Sequence, residues 1–166
     1  MSLSALDHRL LVAARTHGHT PALDRAVAVF SRAGEHAAGW LALGVLGAAL
    51  DAPRRTAWLR GARVVAGAYA VNQAVKFAVR RRRPQLPGLP PLTRTVTQLS
   101  FPSAHATTSF AAAGVYGRLL PAAPLRAIAT AMALSRVYLG VHYPSDVATG
   151  AALGALVAAQ GAPTCR

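Results

Sequence analysis

Three clusters of polar residues interrupt an otherwise apolar chain of 166 residues, and their types suit phosphate chemistry. The first holds Lys76, the only lysine beside 17 arginines, with Arg83 and Pro84 following. Where arginine replaces lysine almost everywhere, a lysine kept at the end of an apolar run points to a need for a compact ammonium. If its helix continues, Arg83 lies about two turns on and on the same face. The second cluster is Phe101-Pro102-Ser103-Ala104-His105, at the head of another apolar run. With Pro102 as the first helical residue, the unpaired N–H groups of Ser103, Ala104 and His105 fall in the first turn. A helix start with a hydroxyl and an imidazole beside it suits an anion. The third cluster is Ser135-Arg136, then His142 and Asp146, with Pro144 between them positioned to start the last helix. A carboxylate there can accept the Nδ1 proton of His142 and leave Nε2 as a nucleophile or base. Asp146 is the one acid after Asp51, so a random surface role is hard to credit. Taken singly, the first two clusters have bland counterparts: arginines anchored at lipid head groups, and a capped helix with an interfacial histidine.

The elements that must position these residues read as helices. The chain is 53% hydrophobic and 14% charged, with mean hydropathy +0.33. That charged share is roughly half the usual one for soluble domains. Five apolar runs cover residues 36–50, 64–79, 104–120, 125–139 and 147–159. Each is slightly shorter than the roughly 20 residues that span hydrocarbon, and flanking residues 34–35 and 56–63 extend the first two. Their many small residues permit close helix packing in lipid. A soluble Ala-rich bundle is the alternative, but it would expose too much apolar surface. Upstream, residues 3–16 place Leu3, Leu6, Leu10, Leu11 and Ala14 on one stripe, with Asp7, Arg9 and Arg15 opposite. Residues 22–31 follow Thr20 as a cap and Pro21 in the first turn, and both segments read as helices lying at a membrane surface. Turns fall at 51–55 and 121–124. Residues 80–100 form the one long loop, where Pro84, Pro87, Gly88, Pro90 and Pro91 exclude helix. The N-terminal segment lacks the continuous apolar core and cleavage site of a signal peptide. The lone Cys165 excludes an intrachain disulfide framework or a cysteine-based metal site.

The fold expected is therefore all-α: an integral membrane bundle of about five transmembrane helices in a single domain, 1–166. Residues 1–33 are interfacial helices and 34–161 the transmembrane core. The charge is lopsided, with 18 basic against 5 acidic residues and a sequence pI near 11.7. That balance and the run Arg80 to Arg83 would suit nucleic acid. Aromatic residues are only 6%, however, and no second basic stripe exists, so no nucleic-acid partner is expected. A purely structural membrane protein would give no reason for Lys76, His105, His142 and Asp146.

Together the clusters resemble the signature of the type-2 phosphatidic acid phosphatase superfamily of integral membrane lipid phosphatases. Its motifs, K-x6-R-P, P-S-G-H and S-R-x5-H-x3-D, read here at 76–84, 102–105 and 135–146, with Ala104 in place of the glycine. Alanine tolerates helical φ/ψ, so the change bears only on how closely the backbone approaches phosphate. The resemblance implies that His142 attacks phosphorus and forms a phosphohistidine, with Asp146 fixing its tautomer. His105 then protonates the leaving oxygen and helps deprotonate the hydrolytic water. Lys76, Arg83, Arg136, Ser103 and the amide of Ala104 hold the phosphoryl oxygens. No metal or other cofactor is implied, since Asp146 alone is too few acids for a Mg²⁺ cage. Vanadate-dependent haloperoxidases share the superfamily, but the membrane-like composition argues against that branch.

The implied substrate is a lipid phosphate monoester whose tail stays in the bilayer. The small size and Ala- and Arg-rich composition resemble actinobacterial prenyl-lipid phosphatases of cell envelope biosynthesis. Decaprenyl-phosphoribose 5-phosphate is then the first candidate. Polyprenyl diphosphate, phosphatidic acid and phosphatidylglycerol phosphate compete, because all such enzymes share the motifs. The expected location is the plasma membrane, multi-pass. Arginines outside the site number eight on one side and seven on the other, so the positive-inside rule does not orient the chain. The resemblance implies an outward-facing site. Nothing in the sequence speaks to oligomeric state. Arg94, in the loop but outside the motifs, is expected to be dispensable.

Overall fold

Seven α-helices and two short 3-10 turns make up a computed structural model that describes residues 2–161. They are α1 (Leu3–Thr16), α2 (Pro21–Arg32), a 3-10 turn (Glu35–Ala37), α3 (Ala38–Leu50), a second 3-10 turn (Ala52–Arg54), α4 (Arg55–Val79), α5 (Ala104–Tyr116), α6 (Ala122–Tyr138) and α7 (Pro144–Gln160). Among the described residues there is no strand, only a single antiparallel bridge between Arg82 and Leu99 in the long loop. Cys165 and Arg166 lie outside the described residues.

The helix starts follow local chemistry. Thr20 caps α2, its hydroxyl accepting from the Leu23 amide at 3.2 Å, with Pro21 at the first position. Pro144 opens α7, and the Asp146 carboxylate accepts from the Tyr143 amide at 2.9 Å. One helix ends earlier than expected. α4 stops at Val79 because Arg80 turns left-handed, with φ +54, and its amide closes on the Lys76 carbonyl at 3.0 Å. Arg83 therefore does not share a helix face with Lys76.

α5 is the central helix, packed against α4, α6 and α7, and nine of its 13 residues are buried. α7 lies directly on it: a Cβ on Gly150 would stand 2.6 Å from the Ser103 carbonyl oxygen. Small residues thus allow the backbones to touch. α3 is tied to α5 by Trp40, whose indole donates to Ser109 Oγ at 2.9 Å and whose carbonyl accepts from the Tyr116 hydroxyl at 3.1 Å.

The N-terminal helix is oriented the other way round from its sequence stripe. Asp7, Leu11 and Arg15 form its buried face, while Leu3, Leu6 and Leu10 are exposed. The surface it docks on is polar: Arg15 donates to the Pro90 carbonyl at 2.8 Å, and Asp7 meets Arg81 and Ser145. Charged residues can face inward when each finds a partner.

The five apolar runs correspond to α3–α7. No described helix is both long and apolar enough to cross a membrane: α3 and α5 have 13 residues each, and α4, with 25, carries Arg55, Arg60, Arg63 and Lys76.

The left-handed cap makes a stability prediction. A Cβ in this region costs about 1–2 kcal/mol, less for glycine, and most for a β-branched side chain. Melting of purified variants is expected to rank Arg80→Gly above the parent and Arg80→Val below it. A reversed order would mean that the turn is not left-handed.

Candidate active site

Six residues singled out by the motifs line one cavity of about 110 Å³: Lys76 from α4, Arg83 from the loop, Ala104 and His105 from the start of α5, Arg136 from α6 and His142 before α7. Ser103 and Asp146 are fully buried beside and behind it. Lys76 is 3% exposed, and its ammonium donates to the Pro102 carbonyl at 2.9 Å and the Leu99 carbonyl at 3.5 Å. One turn earlier, Asn72 donates to Thr107 Oγ1 at 2.9 Å and to the same Pro102 carbonyl at 3.3 Å. Arg136 donates to Ser31 Oγ, and its Nε, buried, has no partner. Among the described residues no ion pair joins Lys76, Arg83 or Arg136 to a carboxylate.

α5 begins one step later than its sequence suggests. Ser103 is the cap rather than a first-turn residue, and Pro102 precedes it behind a cis peptide bond. The Ser103 amide is already used, donating to the Asp146 carbonyl at 3.0 Å. The Ser103 hydroxyl is buried with no partner. The amides of Ala104 and His105 remain as the helix-start donors that an anion could take.

Arg83 sets the state of His142. Its guanidinium is braced by the Thr97 carbonyl (2.8 Å) and the Val141 carbonyl (2.8 Å), and Nη1 lies 3.1 Å from His142 Nε2. A guanidinium can only donate, so Nε2 accepts and carries the lone pair. Burial, reinforced by Arg83, Arg136 and Lys76, holds the imidazole well below the ordinary histidine pKa and so keeps it neutral. Burial also lowers Arg83 to about 10, against the opposing pull of Asp146. The Asp146 contact is longer than the spacing suggested: Oδ2 is 3.5 Å from His142 Nδ1. Its oxygens are shared with other donors, Oδ1 with Arg81 Nη1 at 2.8 Å and Oδ2 with the Tyr143 amide at 2.9 Å.

The second histidine is held from another side. His105 Nε2 lies 3.0 Å from the Ser31 carbonyl, which only accepts, so Nε2–H donates and Nδ1 is the uncommitted nitrogen. Ser31, on α2, therefore fixes both His105 and Arg136. No sequence signal marked Ser31; its burial at 1% is a product of where α2 docks. Arg81 was equally unmarked within its arginine run. Arg94 lines the cavity wall, with Thr93, Thr95 and Thr97, so it is not the remote loop residue that the motifs implied.

Buried cations, helix-start amides and a neutral imidazole around one cavity are groups suited to an anion, set in an all-helical fold; the PAP2 superfamily model matches residues 57–162. The chain belongs to that superfamily and is one of its phosphatases. It is 48% identical over 129 residues to decaprenylphosphoryl-5-phosphoribose phosphatase of Mycobacterium tuberculosis, covering 78% of this chain and 73% of the relative. Among solved structures it is similar to the transmembrane PAP2-type phosphatidylglycerolphosphate phosphatase from Bacillus subtilis. The TM-score is 0.79 at 26% identity, over 96% of this chain and 84% of that one. It also shares its fold with Aquifex aeolicus LpxE, at TM-score 0.76 and 21% identity, over 97% and 98% of the two chains.

Cations without carboxylate partners predict anion-linked stability. Inorganic phosphate at a hundred times its Kd is expected to stabilise the protein by about 2.7 kcal/mol, read as a rise in Tm. Arg136→Gln is expected to weaken that rise. An equal rise in both proteins would place the anion elsewhere.

Proposed function

We propose that this protein hydrolyses the terminal phosphate monoester of a membrane-embedded polyprenyl phosphoribose, decaprenylphosphoryl-5-phosphoribose, through a phosphohistidine. The observation that carries the reading is the neutral His142, its Nε2 lone pair at the wall of a cavity where Lys76, Arg83 and Arg136 lack carboxylate partners. A phosphate dianion entering the cavity neutralises part of that charge and takes the donors that are unpaired, Ser103 Oγ and Arg136 Nε. Nε2 then attacks phosphorus as the ester oxygen leaves. Asp146 stabilises the imidazole, which becomes cationic as the N–P bond forms. A proton taken up at Nδ1 as the substrate binds makes His105 an imidazolium beside the phosphate. Nδ1 gives that proton to the departing oxygen, and the neutral ring afterwards takes a proton from the water that attacks the phosphohistidine. The ring orientation needed for that role is supplied by the Ser31 carbonyl.

The lipid assignment rests on the similarity to the mycobacterial enzyme and on the distribution of apolar surface. Val45, Leu46, Leu50, Val71, Phe77, Leu134 and Leu156 point outward, while Asn72, Thr107, Thr108, Arg136 and Asp146 are buried. An exterior of leucine and valine around a polar interior suits hydrocarbon as the surrounding solvent. In this reading α3–α7 are inserted in the plasma membrane, with mismatch at the short helices relieved by tilt and by arginines reaching the interface. The superfamily resemblance favours a site open to the outer face.

Turnover of decaprenylphosphoryl-5-phosphoribose is the direct test, against polyprenyl diphosphate, phosphatidic acid and phosphatidylglycerol phosphate. A clear preference for one of the others would replace the proposed substrate. Both carboxylate oxygens of Asp146 are committed to protein donors, so activity is expected to survive EDTA; loss restored by Mg²⁺ would mean a different mechanism. Because burial keeps His142 neutral, kcat/KM is expected to hold up below pH 6.5 rather than fall through the ordinary histidine range.

The two histidines are expected to fail differently. His142→Ala loses turnover on every substrate, because no intermediate forms. His105→Ala loses about 10²–10⁴-fold on the lipid, which needs a proton on its leaving alcohol, and much less on p-nitrophenyl phosphate, which does not. The comparison uses kcat/KM, which is insensitive to slow hydrolysis of phosphohistidine. Arg126→Ala, exposed at the far end of α6, serves as the neutral control in place of Arg94. Equal losses for His105→Ala on both substrates would leave it a phosphate-binding residue.

A further inference from the structure

The face of α1 that docks on the core reaches the back of the active site. Asp7, 3% exposed, accepts from the Ser145 amide at 2.9 Å through Oδ1, and from both the Ser145 hydroxyl and Arg81 Nη2 through Oδ2, the latter at 2.9 Å. The other arm of Arg81, Nη1, donates to Asp146 Oδ1 at 2.8 Å and to Ser145 Oγ at 2.7 Å. The guanidinium carbon sits 4.1 Å from the centre of the Tyr143 ring, so the plane of the fork is also fixed. Arg81 thus joins two buried carboxylates, one on the first helix and one on the last.

We propose that Asp7 is a positioning residue of the active site, which through Arg81 holds the Asp146 carboxylate in place behind His142. The inference rests on the roles given above to His142 and Asp146. Asp146 has two fixed points, the Tyr143 amide and Arg81. The first comes with the start of α7, whereas the second is only as fixed as the guanidinium itself. The Arg81 backbone is held by the Ser100 amide, which donates to its carbonyl at 2.8 Å, but 29% of its side chain is exposed, so the position of the guanidinium depends on side-chain partners. Asp7 is one of them. Burial works against the Asp7 charge, but the Ser145 hydroxyl and Arg81 hold its pKa below the usual carboxylate range, so it is ionised and able to grip the fork. With Asp7 removed, Nη2 loses its carboxylate, and only the Ser145 hydroxyl and the Tyr143 ring are left to hold the guanidinium against Asp146.

Asp7 does not touch substrate, so its loss is expected to appear in kcat and not in KM. The test is a double-mutant cycle on the full chain, assayed with decaprenylphosphoryl-5-phosphoribose in detergent. Asp7→Asn is expected to lower kcat about tenfold with KM within about twofold, and Arg81→Gln to lower it at least as much. The Asp7→Asn/Arg81→Gln double variant is expected to match Arg81→Gln alone, because Asp7 acts only through Arg81. Losses that multiply, or a normal kcat in Asp7→Asn, would overturn the proposal.

Leu11→Ala, on the same buried face, separates positioning from simple docking: it is expected to lower Tm with kcat unchanged, and a kcat loss equal to that of Asp7→Asn would also overturn the proposal. If Asp7→Asn is not recovered folded, Asp7→Glu carries the test. It keeps the charge but displaces the carboxylate, and wild-type kcat there counts against the proposal while a loss of about threefold or more supports it. Asp146→Asn completes the series. Full activity in that variant would overturn the reading beneath the proposal, whereas an impaired Asp146→Asn beside a fully active Asp7→Asn would overturn the proposal alone.

Discussion

The constraint on which this structure depends is the burial of positive charge without carboxylates to match it. Lys76, Arg83 and Arg136 converge on one cavity; Glu35 is on its lining but forms no ion pair with them, and Asp146, behind it, has its oxygens committed to Arg81 and to the Tyr143 amide. Removing an isolated cation from water costs several kcal/mol even after relaxation, so each must be met by dipoles. The protein meets them with backbone carbonyls: Pro102 and Leu99 at Lys76, Thr97 and Val141 at Arg83. These oxygens come from the long loop and from the two segments leading into α5 and α7. The prolines that bar helix from the loop therefore have a second consequence, which is to leave carbonyls unpaired and able to receive the cations.

The same constraint bears on His142, which burial keeps neutral with Arg83 reinforcing the effect. Arg83 is braced by two carbonyls before it reaches His142, so its third contact can only be one in which the imidazole nitrogen accepts. Asp146, set at 3.5 Å, stands off in this state and is placed to respond when the ring becomes cationic. In the proposed reaction positive charge around the site has two effects: it attracts a phosphate dianion, and together with burial it disfavours protonation of the His142 nitrogen.

The two N-terminal helices are structural members of this site rather than appendages to it. Ser31 of α2 receives Arg136 on its hydroxyl and His105 on its carbonyl, while α1 brings Asp7 to Arg81. Both contacts bridge more than 70 residues of sequence, and both bury polar atoms that the core helices could not have satisfied among themselves. The amphipathic character of α1 is real, but Leu3, Leu6 and Leu10 face away from the core, while Asp7 and Arg15 face in beside Leu11.

Sequence by itself determined what depends on local rules. The cap at Thr20, the helix start at Pro144, the break after Leu50, the helix-free loop and the five apolar runs all follow from which residues can complete a helical hydrogen bond and which cannot. The turn expected at 121–124 falls earlier, at 117–120, because Ala122 to Pro124 form the first turn of α6, where a proline loses no helical bond. That Lys76, Arg83, His105, Arg136, His142 and Asp146 come together was legible for a related reason: ionisable groups are rare in apolar segments and costly there, so each one present carries information. Tertiary structure alone decided the rest. Arg80 turned left-handed and ended α4, so Arg83 reached the cavity through the loop instead of along the helix. Ser103 became a cap, and Arg94 joined the cavity wall. Ser31, Arg81 and Asp7 gave no local sign of their roles, since a serine, an arginine in a run and an acid on an amphipathic helix are ordinary surface residues until distant segments dock on them. Periodicity reports how apolar a helix face is; it does not report whether the surface opposite is lipid, water or a guanidinium.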